Sequence, residues 1–591
     1  MGTRLPEQQR FLRRALVATG HRRGVAAARQ GRRGRCRGRA DRLRLRSHGG
    51  GARSGCGGAG AGRARRREYA AGRDGRHASR LCEHGARAHQ RTHDIRRATP
   101  QLRLAWPEPG LLSRGVLFVR PARPTEERAV WRGGSLSVAE RHRHEVIVIG
   151  AGLAGLAAAC KLQAEGVDAQ VLEAQERVGG RVHSMRQLGS NQEAGGTYIG
   201  AGYTRIIGVA ERFGVELIDV TPMLAFFREQ ELVLGNEIIR QADWPDHPAN
   251  LFNGDDRALM PWAYYRMLTV KENPLAQPAD WLAPASARHD VSVYDWLKGL
   301  GFDDAVIKLA YGINVSFGED AGDVSALLLF FRAAFSVAQR RLSPEGVAGY
   351  TAKNGVARIP EAMAAALDPP AQLQKVVVAI TSEADDTTVH CADGSVYHAP
   401  QVVCSLPFGV LRHIKIEPPL RGLQAEAVNT LPAQAMTQVY LAHKSNFWEA
   451  DGFSPSLFTD GVAGMVAAAR NGTDPKEVTS FTAWTLGANA TRLDALPPAA
   501  AGRLVIDAIE AIRPAAKGQL EFLGIQSWGT DPFAQGGWAY FKPGQIARFA
   551  AAMGARHGQI RFCGEHLGRA SRGMEGAMES GERVAAEILA L

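Results

Sequence analysis

Three glycines and one acid carry the first chemical signal. Gly150, Gly152 and Gly155 fall at the spacing G-x-G-x-x-G, and Glu173 closes the next apolar run. Gly150 allows a tight turn, Gly152 lets backbone approach a pyrophosphate, and Gly155 lets a helix pack on a strand. A helix beginning there offers free N–H groups and the positive end of its dipole to phosphates. A carboxylate at 173 suits the hydroxyls of an adenosine ribose and repels a 2′-phosphate. Three such glycines also occur in ordinary turns, so the flanking elements decide.

Those elements are of the required kind. Val146-Ile147-Val148-Ile149 has the length and composition of a buried parallel strand. Residues 156–164 are rich in Ala and Leu and read as a helix, and 169–172 read as a second strand. A strand, a glycine turn, a helix, a strand and an acid form the context that the dinucleotide fingerprint needs. The motif alone does not separate NAD from FAD. Arg177-Val-Gly-Gly-Arg181 continues from the acidic strand end. It is similar to the segment of two-dinucleotide-binding flavoproteins in which an Arg after paired glycines contacts the FAD pyrophosphate.

Length and charge bound the rest. At 591 residues the chain needs two or more domains. Its 45% apolar and 22% charged residues suit a soluble globular protein. Residues 1–144 hold 35 Arg, no Lys and 10 acids, whereas the remainder carries 49 acids against 37 bases. The basic total therefore says nothing about the folded part. Residues 1–144 lack helical or strand periodicity. They read as an extension: a disordered basic arm for nucleic acid, a targeting peptide, or a GC-rich reading frame translated upstream of a start near Val138. The last fits the composition best.

The seven cysteines form no CxxC pair, so neither a metal nor a disulfide framework is expected, and a reduced, cytoplasmic compartment is the default. Cys160 and Cys404 read as core. The apolar run 326–331 is stopped by Arg332, and no membrane span is expected.

Further elements follow along the chain. Residues 206–213 read as an amphipathic helix. Residues 224–341 read as a mainly helical lobe, with Asp290 capping a helix that stops at Gly299. A helix at 357–367, strands at 376–380, 401–406, 436–442 and 520–527, and helices at 499–512 and 576–589 complete the reading.

Several blocks together resemble the flavin-containing amine oxidases, the monoamine, polyamine and L-amino-acid oxidase group. They are GAGLAGLAAA with LEAQERVGGRVHS, EAGGTYIG, DVSALLLFF, NGVARIPEAM, VVCSLPFGVL, Phe447-Trp448 and FCGEHLGRASRGMEGAMESGERVAAEIL. The resemblance implies an α/β fold: a two-dinucleotide-binding, Rossmann-like FAD domain from 145–223, 350–432 and 526–591, with an inserted α+β substrate domain from 224–349 and 433–525. It implies that Gly150, Gly152, Gly155, Glu173 and Arg181 bind FAD. Gly196, Thr197 and Tyr198 match a loop passing the flavin, and Val377 a residue whose backbone holds the adenine. Trp528 matches a tryptophan near the ring. Gly564, Glu565, Met574 and Glu575 match the C-terminal flavin loop and a helix N-terminus aimed at the ring.

The implied reaction is hydride transfer from the carbon beside an amine nitrogen to flavin N5, giving an imine that hydrolyses to aldehyde or ketone. A small amine is the substrate and O2 the expected acceptor, giving H2O2. No metal, membrane or nucleic acid is expected as a partner, and a homodimer is compatible with the family.

Three departures qualify this. Gln438 stands where the family carries a Lys, ten residues before the Trp of Phe447-Trp448. It can orient water but brings no charge, which keeps an FAD-dependent dehydrogenase or desaturase as the alternative. Gly573 replaces one of two aromatics that flank the substrate nitrogen, and Trp538 or Tyr540 supplies the other. Gly536-Gly537-Trp538-Ala539-Tyr540 has no Cys, so FAD is expected to be non-covalent. A reading of another class is a flavin-bound scaffold that holds nucleic acid through the Arg-rich arm.

Overall fold

The computed structural model describes residues 141–189, 192–224 and 229–591. The expectations for residues 1–140 lie outside these. The end of the 1–144 stretch departs from the sequence reading: Arg141–Arg143 is a strand, pairing in parallel with Val396–Ala399.

The nucleotide fingerprint folds around a four-stranded parallel sheet. Its order is Ile560–Phe562, Gln401–Cys404, Val146–Ile149, Ala169–Leu172. Every residue of Val146–Ile149 and of Ala169–Leu172 is buried, as expected of parallel strands covered on both faces. The helix Leu153–Ala164 follows the glycine turn, three residues earlier than its Ala-rich stretch suggests. The last helix, Gly573–Leu589, packs on it so closely that a Cβ on Gly581 would stand 2.1 Å from Ala154 O. This helix also starts three residues before the expected Gly576, which puts Met574 and Glu575 in its first turn.

A five-stranded sheet lies alongside, in the order Arg141–Arg143, Val396–Ala399, Thr387–Cys391, Val377–Ser382, Lys415–Glu417. Much of the remaining chain is organised on a seven-stranded sheet: Leu520–Ser527, Met436–His443, Ser480–Leu486, Met465–Ala469, Leu457–Thr459, Glu231–Leu234, Glu237–Ile239. The last two strands add a hairpin that the reading of 224–341 as mainly helical did not include. They form a hairpin through Gly235 and Asn236, whose φ angles of 55° and 72° are those of a type I′ turn. Glu231–Leu234 then pairs in parallel with Leu457–Thr459.

Elsewhere in that lobe the helices stand, with one cap changed. Ser292, not Asp290, caps Val293–Gly299, its Oγ accepting from Asp295 N at 2.8 Å. Asp290 instead accepts from Ser325 Oγ at 2.6 Å and from Ala547 N at 2.7 Å, tying three segments together. Phe330 and Phe331 are buried on helix Ala326–Leu342, where Phe331 stacks on Trp281 with ring centroids 4.6 Å apart. Among the described residues no helix is long and apolar enough to cross a membrane.

Candidate active site

Backbone dominates one side of the site. Gly150 has a φ of +98°, and a Cβ on Gly155 would lie 2.0 Å from Gly150 O. Both positions therefore need glycine for the fold itself. Gly152 differs: it caps helix Leu153–Ala164 with no side-chain hydrogen bond, and a Cβ there would meet nothing within 4 Å. The first turn of that helix holds no acid. Helix N–H groups left uncapped beside such a glycine form an anion cradle.

Glu173 is buried at the end of its strand. Its Oε2 accepts from Ala151 N at 2.7 Å and its Oε1 from Gln175 N at 2.9 Å. Burial raises its pKa, against those N–H groups and the charge of Arg177. Each oxygen keeps a lone pair for a ribose hydroxyl. Arg181 donates through Nη1 to Gly537 O at 3.1 Å and to Glu565 Oε1 at 3.2 Å. Its Nε and Nη2 have no partner among the described residues. The donor set of this face fits a dinucleotide pyrophosphate and ribose.

Other expected cofactor residues gather round the same region. Gly196 has a φ of +80°, and a Cβ on it would stand 3.2 Å from Met574 Sδ. Trp528 is buried and donates from Nε1 to Ala194 O at 2.8 Å. Gly564 is tied to the last helix, its N–H donating to Ser580 Oγ at 2.9 Å. Glu565 accepts from Ala539 N at 2.8 Å; burial raises its pKa, but Arg181 and Arg572 win and hold it low. Val377 is buried at the start of its strand, beside a bulge. The side chain of Glu575 is otherwise engaged. It accepts from the N–H groups of Arg205 (3.0 Å) and Ile206 (3.2 Å), capping helix Thr204–Arg212.

A cavity of about 870 Å³ opens beside this face. Thr197, Tyr198, Glu565 and Gly573 border it, and Trp538 lines it, with its Nε1–H donated to Ser316 O at 3.0 Å. Tyr540 does not line it. That ring is buried, with its hydroxyl donated to Asp323 at 2.9 Å. Gly573 has a φ of +58°, which favours glycine, and Tyr203 Oη lies 4.0 Å from where its Cβ would stand. Tyr203, which the motifs did not single out, also lines the cavity.

Gln438 is fully buried and is not among the lining residues. Since an indole N–H can only donate, the amide oxygen accepts from Trp484 Nε1 at 2.9 Å. The amide nitrogen then donates to Ala194 O at 2.5 Å and to Tyr440 Oη at 3.2 Å. Gln438 thus holds the strand Glu193–Gly195 from behind. His566 is likewise off the cavity, buried edge-on to Phe408, with burial pushing its pKa down to about 4.

Sequence reasoning missed the cavity's other ionisable groups: Glu193, Tyr265, Arg266, Tyr311, Arg332 and Arg572. Glu193 accepts from Ser184 Oγ at 2.7 Å and from Val356 N at 2.8 Å. Burial outweighs both bonds and lifts its pKa to about 7. Arg332 left one legible sign, as the charge that interrupts an otherwise buried helical face.

Known proteins are similar to this chain. The chain is 25% identical over 468 residues to a flavin-containing amine oxidase of Danio rerio, across 76% of this chain and 86% of that protein. It is 23% identical over 462 residues to human flavin-containing amine oxidase B, across 75% and 86%. Among solved structures, wild-type putrescine oxidase bound to putrescine superposes with a TM-score of 0.61 at 22% identity, over 76% of this chain and 100% of that one. Cyclohexylamine oxidase from Brevibacterium oxydans gives 0.60 at 22% identity, over 75% and 98%. These structures share the fold. The model of the flavin containing amine oxidoreductases matches residues 153–589, and this chain belongs to that family as an FAD-dependent amine oxidoreductase.

Proposed function

We propose that this enzyme oxidises a small amine at the carbon bearing its nitrogen, with non-covalently held FAD and with O2 as the final acceptor, releasing H2O2. The observation that carries this reading is the junction of the two faces. The cavity is bordered by Thr197, Tyr198, Glu565 and Gly573, which lie in the segments to which the family resemblance assigns the flavin. Bound FAD would supply the hydride acceptor; binding, orientation and drying fall to the protein.

We assign the cofactor to segments 145–223, 350–432 and 526–591, and the substrate to 224–349 and 433–525. Gly150, Gly152 and the helix behind them would hold the pyrophosphate, with Arg181 and its unpaired N–H groups. Glu173 would take the ribose, Val377 the adenine end, and Gly196, Thr197, Tyr198, Trp528, Gly564, Glu565, Met574 and Glu575 the surroundings of the ring. The dipole end of helix Gly573–Leu589 would favour negative charge on the ring. Trp538 and Tyr203 would flank the substrate, which an apolar wall keeps in the neutral form that hydride loss needs. Gln438 would act as a positioning residue, fixing the backbone of Ala194 behind the site. Tyr540 would brace the segment that carries Trp538.

Non-covalent attachment is supported by the thiols. No cysteine among the described residues lines the cavity, and burial lifts the Cys404 pKa to about 12.

Peroxide yield tests the acceptor. With purified holoenzyme and a panel of amines, one H2O2 per amine consumed is expected. Turnover with an artificial dye but no peroxide in air would instead favour the dehydrogenase or desaturase reading, which the missing lysine charge at 438 motivates.

A further inference from the structure

Three arginines line the cavity of an enzyme whose substrate is an amine. Arg266 on helix Pro261–Lys271, Arg332 on helix Ala326–Leu342 and Arg572 at the cap of Gly573–Leu589 all line it. A guanidinium stays charged under all ordinary conditions. Yet none of the three forms an ion pair among the described residues.

Their contacts are sparse. Arg266 Nε donates to Tyr265 Oη at 3.3 Å. Arg572 Nη2 reaches Ala539 O at 3.5 Å. The guanidinium of Arg332 has no hydrogen bond among the described residues; it lies 5.6 Å from the Phe317 ring, with Arg572 at 5.7 Å from the same ring. Burial opposes ionisation of the Tyr265 phenol, but Arg266 and Arg332 together pull its pKa down to about 7. The contacts place both groups on one stretch of the wall: Tyr265 Oη, which Arg266 reaches, lies 3.5 Å from Ser316 Oγ, and Arg332 packs on the next residue, Phe317.

The cavity's carboxylates do not balance them. Glu565 is engaged by Arg181. Glu193 is held by Ser184 and Val356, on the wall of strand Glu193–Gly195. Unpaired cations lining a recess are expensive unless an anion completes them.

We propose that Arg266 and Arg332 form an anion subsite, so that the amine this enzyme oxidises also carries a carboxylate. The guanidinium fork matches a carboxylate in geometry as well as charge. A simple alkylamine or a diamine would bring no negative charge into this cavity. The inference rests on amine oxidation as the reaction and adds the substrate class.

Paired substrates test it: phenylalanine against phenethylamine, and lysine against cadaverine, with holoenzyme. The carboxylated member should have the higher kcat/KM by about 100-fold, the size expected when charged hydrogen bonds are lost. Arg332→Gln should shrink that ratio to within about tenfold, and Arg266→Lys, which keeps charge but loses the fork, should shrink it partly. Binding supplies a second readout: benzoate, but not neutral benzamide, should raise the melting temperature of the wild type and fail to do so in Arg332→Gln. Equal or better turnover of the decarboxylated amines, with a ratio that neither variant moves, overturns the subsite. Benzoate protection that depends on Arg332, with no amine oxidised, would keep the subsite and remove amine oxidation instead. Absence of benzoate protection in the wild type also overturns it.

Discussion

The nucleotide face and the cavity beside it are built from different materials. The first is glycine and main chain: Gly150, Gly152, Gly155 and a helix end whose N–H groups no side chain caps. The second is side chains from segments scattered between Gln192 and Gly573. Main-chain recognition ties each function to a residue type that little else can replace. Side-chain recognition ties it to a fold that must first be known. The contrast also separates glycines that make the fold from one that leaves room for a ligand.

Gly155 and Gly152 give the largest expected difference. Gly155→Ala drives a Cβ to 2.0 Å from Gly150 O, a backbone atom that cannot easily move. We expect a stability loss of about 3 kcal/mol or more, read by denaturant unfolding of the apoprotein. Gly152→Ala meets nothing within 4 Å and should cost under about 1 kcal/mol as a poorer cap. It should nonetheless weaken FAD retention at least about tenfold, because the added methyl stands where backbone must approach phosphate. Equal effects of both changes on apoprotein stability would erase the distinction.

The cavity side has its own signature in pH. Burial raises the Glu193 pKa from 4.5 to about 7. The folded state therefore holds this proton more tightly than the unfolded chain does. That contribution is full below pH 4.5 and disappears as pH climbs past about 7. The shift corresponds to about 3 kcal/mol. Glu193→Gln mimics the protonated form, so its stability should fall less between pH 5 and 8 than the wild type's. Parallel stability curves for the two proteins would mean that Glu193 is ionised throughout.

Gln438 gives a smaller effect and marks the border between the two regions. Gln438→Met keeps the volume but leaves the indole N–H of Trp484 and the carbonyl of Ala194 without their amide partner. A loss of about 2 kcal/mol is expected. Slower oxidation should accompany it only to the extent that strand Glu193–Gly195 shifts. A stable variant with unchanged unfolding but altered reaction with O2 would return Gln438 to the chemistry.

The same contrast explains what could be read in advance. The strand Val146–Ile149, the glycine turn and the strand Ala169–Leu172 follow from local pattern alone, and so does the parallel sheet around them. The hairpin at Glu231–Ile239 was legible in principle through Gly235-Asn236, but its strands are short and their partner lies more than 200 residues on. Trp538 was found by resemblance. Tyr203, Arg266 and Arg332 were not, since the first sits at the start of an ordinary helix and the other two within one, and they share a cavity only in the fold. Tyr540 shows the opposite failure: an aromatic in the right motif, turned by Asp323 toward the interior.

The most direct test is anaerobic. Purified protein should be yellow, keep FAD through gel filtration, and lose its visible flavin absorbance when mixed with a substrate amine under nitrogen. Protein that neither retains FAD nor regains turnover when it is added, or bound flavin that no amine bleaches, would contradict the account.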